Sequence, residues 1–129
     1  MSDIAVKLFD TVVVASVLSN LPESKKHLTT ELRKLHPIFY DLRHECTELM
    51  KDIRFDKRGT FVYSQSLDQA FSNLETAKVL PKVNPDLDKY EITSKLRNYY
   101  SSRLENKLSD TQKKDAKRIA QKLADIATE

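Results

Sequence analysis

Residues Phe61 to Thr93 read FVYSQSLDQAFSNLETAKVLPKVNPDLDKYEIT, and the switch between strand and helix periods within this stretch decides the fold. Phe61-Val62-Tyr63 is a short aromatic and β-branched run, a strand candidate. Ser64 or Ser66 can cap a helix running to about Lys78, in which Leu67, Ala70, Phe71, Leu74 and Ala77 share one side. Val79 to Asn84 and Lys89 to Thr93 then read as two short strands around the turn Pro85-Asp86-Leu87-Asp88. Val83, Tyr90 and Ile92 face inward in this reading, and Lys82 and Glu91 outward.

Downstream, residues 94–106 and 110–127 are expected to be helices, the second starting at the Ser109-Asp110 cap. On that last helix Ala116, Ile119, Ala120, Leu123, Ile126 and Ala127 form one face, and Lys113, Lys114, Lys117, Arg118 and Gln121 the opposite one. Upstream, Asp56-Lys57-Arg58-Gly59 has turn chemistry. From Pro37, placed at a first helical position, to Ile53 the residues Ile38, Phe39, Leu42, Cys46, Leu49, Met50 and Ile53 keep a helical period. A short helix over about 24–35 is expected to stop where His36 precedes Pro37. Residues 3–20 read as a first helix with Ser2 as N-cap and apolar residues on most sides, although Val12-Val13-Val14 also suits a buried strand.

Composition narrows the function classes. The 129 residues suit a single domain, spanning 1–129. One glycine, Gly59, cannot supply the several close backbone approaches of a phosphate-cradling loop. A lone cysteine, Cys46, cannot pair internally, and the first residues lack a secretory pattern, so a cytoplasmic location is expected. Val12 to Leu18 is far shorter than the roughly 20 apolar residues of a membrane span. Net charge is +3, but residues 94–129 carry 9 Lys/Arg against 5 Asp/Glu, which makes the C-terminal part the basic one.

Ser66, Leu67, Leu74, Val79, Leu80, Val83, Tyr90, Ile92 and Thr93 resemble the second half of a winged-helix domain, where a helix leads into a β-hairpin wing and then another helix. The resemblance implies a fold that is mainly α with a small β-hairpin: a winged-helix-like core over about 37–106, with terminal helices 3–20 and 110–127 added. In that family the helix before the wing reads the DNA major groove. Here it would expose Asp68, Gln69, Ser72, Glu75 and Thr76, two carboxylates and no cation, where phosphate neutralisation needs Lys or Arg. The chemistry of this helix favours contact with protein.

Two functions follow as expectations. The first is a non-enzymatic regulatory or protein-interaction module, binding a protein partner or a second copy through helices 3–20 and 110–127. The alternative is a transcriptional regulator contacting double-stranded DNA through the wing and the basic C-terminal helix. The candidate residues for phosphates or an acidic partner are Lys82, Lys89, Arg97, Arg103, Lys113, Lys114, Lys117 and Arg118. Membrane binding is not expected, because the apolar side of the last helix carries alanines and no Trp or Phe. No catalytic residue, metal ligand or cofactor is expected. Cys46 belongs to the apolar face while His44 and Glu48 lie together on the polar one, and His27, His36 and His44 match no zinc spacing.

Overall fold

The computed structural model describes residues 2–59, 61–83 and 88–128, with side chains described for all of these except 2–9, 58 and 61. The turn expected at 85–88 lies largely outside the described residues, as does the Ser2 cap. The elements are α1 (Ser2–Ser19), β1 (His27–Thr29), α2 (Leu32–Leu42), α3 (Thr47–Met50), β2 (Asp56–Arg58), β3 (Phe61–Tyr63), α4 (Gln65–Thr76), β4 (Lys89–Glu91), α5 (Ser94–Tyr99) and α6 (Asp110–Ile126).

Helix α1 is the centre. Every residue from Val12 to Leu18 is at most 3% exposed, which only an element surrounded on all sides achieves. A helix closes its own backbone hydrogen bonds, whereas a strand in that position would need a neighbour on each edge. The β-branched run is therefore helical. Its one polar residue between Val12 and Leu18, Ser16, is satisfied locally, the hydroxyl donating to the Val13 carbonyl at 2.7 Å. Around α1 pack α4, α6 and the helical stretch that begins with α5.

The expected helix over 24–35 is instead β1 followed by the start of α2. Thr29 and Thr30 are stiff at χ1 and disfavour a helix, and β4 offers partners. β1 and β4 run antiparallel, His27 opposite Glu91 and Leu28 opposite Tyr90, and fully buried Leu28 locks the register. Lys82 bridges to Tyr90 on the other side of β4, so the sheet order is β1, β4, then the segment around residue 82. The two strands expected around residues 79–93 thus meet, with β1 as an unforeseen third member. Tyr90 and Ile92 point inward and Glu91 outward as expected, but Val83 is only half-buried.

Pro37 does not open a helix. It lies inside α2, whose N-cap is Glu31. Pro37 offers no N–H to the carbonyl of Arg33, at a cost of about 3 kcal/mol. Burial of Leu35, Ile38, Phe39 and Leu42, each contributing roughly 1.5–3 kcal/mol, outweighs it. Nor is 37–53 one helix: the chain leaves helical geometry at Cys46 (φ −115°, ψ 51°) and resumes as the single turn α3. All seven apolar residues of that stretch are nevertheless buried.

The turn expected at 56–59 contributes its first three residues to β2, which pairs antiparallel with β3, and Gly59 takes the positive φ of 61° that the reversal needs. Ser64 caps α4, its hydroxyl accepting from the Leu67 N–H at 3.2 Å. Ala77 lies past the helix end and is exposed. The expected helix at 94–106 forms but changes winding, from α5 to a π-helical turn over Tyr100–Leu104 and a 3-10 turn over Glu105–Lys107. Ser109 and Gln112 complete a reciprocal capping box for α6.

Candidate functional site

Among the described residues, most of the apolar surface expected to meet a partner is consumed within the chain. Residues 12–18 of α1 lie in the core, and Ala116, Ile119, Ala120 and Leu123 of α6 are fully buried. One large apolar side chain is the exception among the described residues: Ile126 is 52% exposed. It shares the helical phase of Ile119, seven residues earlier, so period alone assigns it inward.

Ile126 stands at the rim of a cleft of about 380 Å³ between α2 and α6. Ile38, Asp41, Leu42 and Glu45 contribute from α2 and its end, and Arg118, Gln121, Lys122 and Asp125 from α6. Ile38 and Leu42 are 5% exposed and form an apolar floor. Arg118 spans the cleft to Glu45, Nη2 to Oε1 at 3.1 Å. Among the described residues no ion pair reaches Asp41, Lys122 or Asp125. A second, smaller cleft of about 260 Å³ adjoins Ile126 on its other side, where Thr29, Lys89 and Thr128 meet.

The expected basic residues do not converge on one surface. Lys82 is paired with Glu75 at 3.6 Å and sits 5.8 Å from the Tyr90 ring centroid. Arg97 donates from Nη1 to the carbonyls of Ser19 (2.7 Å) and Leu21 (3.0 Å), so its guanidinium closes the C-terminus of α1. Lys89 lines the smaller cleft, and Arg103 is exposed on the π-helical turn. Lys113 is half-buried, while Lys114, Lys117 and Arg118 are exposed along α6. Tyr100 is buried and Tyr99 packs partly on the core.

Three buried groups have the chemistry of a site without its access. Cys46 is 1% exposed, and burial first, then the Asp115 and Glu45 carboxylates, push its thiol up to about 11. His44 and Glu48 are exposed but do not share one helix with it, because α2 ends at Leu42. His36, whose spacing from His27 and His44 matches no zinc pattern, is wholly buried; its Nδ1 accepts the Ser64 N–H at 2.9 Å and its ring stacks on Tyr63. That leaves the proton on Nε2, which has no partner, and burial lowers the pKa of the ring. Asp10, 4% exposed, is held up at about 6 by burial, with the Ser66 hydroxyl working the other way. Nothing in the sequence sets these two apart, since His36 precedes a proline and Asp10 sits among ordinary helical residues.

Among the described residues no group of three or more His, Cys, Asp or Glu is disposed to hold a metal ion, and no helix is long and apolar enough to cross a membrane. Compared with known protein families, with curated proteins and with solved structures, the chain matches none.

Proposed function

We propose that this chain is a cytoplasmic, non-enzymatic protein-interaction module built on a winged-helix-like scaffold, and that it receives its partner in the α2–α6 cleft. One observation carries the reading: an isoleucine on the apolar face of α6 is left half-exposed, at the rim of a cleft with an apolar floor and charged lips. Exposed apolar groups rimmed by polar ones mark contact sites, and central apolar anchors dominate interface energetics. The scaffold part draws support from the strand order, in which the strand before α2 lies beside β4, and β4 lies beside the segment that follows α4. In this chain α3 and the β2–β3 hairpin stand between the two helices of such a core.

Photocrosslinking tests the interaction reading. A photoreactive residue at Lys122 is expected to yield discrete protein adducts in the cell of origin, and the same probe at exposed Ser101, on the π-helical turn, none. Equal labelling from both positions would sink it.

Contact with duplex DNA is the second reading, favoured by Lys114 and Lys117, which lie exposed on α6 with no ion pair among the described residues. Affinity for random duplex that falls steeply with salt, and falls less steeply in Lys114→Ala/Lys117→Ala, is its signature. No binding at low salt removes it.

A further inference from the structure

The α2–α6 cleft carries on its own lip the group that fits it. Its floor is Ile38 and Leu42, and its lips present Asp41 from α2 and Lys122 and Asp125 from α6, none of them paired within the chain among the described residues. An occupant suited to this cleft needs one exposed aliphatic group with a cation one helical turn away. The final turns of α6 are such an element, because Ile126 follows Lys122 by four residues. A lip that is uniformly acidic or basic would select a partner of opposite charge. Here the α2 lip carries a carboxylate and the α6 lip a cation beside Asp125, so Lys122 of one copy can face Asp41 of another.

Resting on the interaction reading above, we propose that the occupant is a second copy of this chain, docked about a two-fold axis. Ile126 of each copy seats on the Ile38–Leu42 floor of the other, and Lys122 of each meets Asp41 of the other. A two-fold contact uses the same patch twice, so each pair occurs twice and a single substitution acts in duplicate. The aliphatic contact supplies the affinity, since exposed ion pairs contribute about 0–1 kcal/mol each. The charges set the register and reject misaligned copies.

Sedimentation equilibrium of the full chain is the first measurement, with a mass rising from 14.9 kDa towards twice that value as concentration increases. Ile126→Glu is expected to weaken the dimer at least about tenfold. Because Ile126 is 52% exposed, its far-UV spectrum and melting temperature at dilution should stay those of the parent. Charge reversal then tests the register. Asp41→Lys alone places two cations opposite each other, Lys122→Asp alone two carboxylates, and each variant should dimerise more weakly than the parent. An equimolar mixture of the two restores both opposite-charge pairs and should recover the dimer mass. A parent chain that stays monomeric at high concentration, or a mixture no more associated than its components, overturns the proposal. A crosslinked adduct from Lys122 whose mass is not twice the chain, together with a monomeric parent, overturns the second copy while leaving the interaction reading standing.

Discussion

His36 and Asp10 are both buried and both titrate away from their ordinary ranges, in ways that oppose each other. The folded-state pKa of His36 lies below the ordinary 6.5, because burial disfavours the imidazolium; the charge of Asp68 only partly offsets this. Protonation at Nδ1 also removes the acceptor for the Ser64 N–H. The stability contributed by the neutral ring is complete above about 6.5 and lost as pH falls through the folded value. Asp10 has its folded-state value raised from 3.8 to about 6, so its contribution is complete below 3.8 and lost as pH rises through about 6. In the parent chain the two slopes partly cancel. Thermal denaturation between pH 4 and 7 is expected to separate them. Asp10→Asn leaves the His36 slope, so stability rises with pH, whereas His36→Gln leaves the Asp10 slope, so stability falls with pH. Variants whose slopes match the parent would contradict this assignment.

At the level of elements, local sequence chemistry placed the caps and tertiary contacts placed the breaks. Ser64 and Ser109 cap their helices because a hydroxyl stands immediately before each amphipathic run. The break after Leu42 has no such local cause. Asp115 on α6 accepts the Leu49 N–H at 3.2 Å, and Gln112 Nε2 donates to the Glu48 carbonyl at 3.3 Å, so α6 serves as the cap for α3 from 66 and 64 residues away. Asp115→Ala is therefore expected to cost about 1–2 kcal/mol, read from urea midpoints, and to speed exchange of the Leu49 amide. Removing the Asp115 charge also lowers the Cys46 pKa, which the pH dependence of thiol labelling would record. Pro37 tests the reverse case, a local penalty overridden by packing. Pro37→Ala supplies the missing N–H to the Arg33 carbonyl and should stabilise the protein by about 1–2 kcal/mol. This is less than the full proline penalty of about 3, because alanine leaves the unfolded chain freer. Unchanged or lower stability would mean that α2 has adapted its course to the ring.

For the molecule as a whole, Arg97 shows how a residue with the composition of a binding site is claimed by the fold. It ties α5 to the end of α1 through the Ser19 and Leu21 carbonyls. Arg97→Ala should cost about 1–3 kcal/mol in denaturant unfolding, since it leaves those carbonyls without their donor. Arg97→Lys should recover only part, as one ammonium replaces a planar fork. The sequence by itself determined that the chain is mostly helical, that residues 3–20 carry apolar groups on most sides, that α6 starts at the Ser109 cap and α4 at Ser64 or Ser66, and which apolar residues of 37–53 enter the core. Each follows from period and capping, which act over a few residues and are written in neighbouring positions. The tertiary structure alone decided that 27–29 is a strand, that Pro37 sits inside a helix, that His36 and Asp10 are buried, and that Ile126 is not. Each of those depends on which distant surface arrives: β4 beside β1, α6 against α3, and, among the described residues, none that covers the Ile126 side chain. Local patterning states which side of an element is apolar, and only the assembled neighbours determine whether that side is covered.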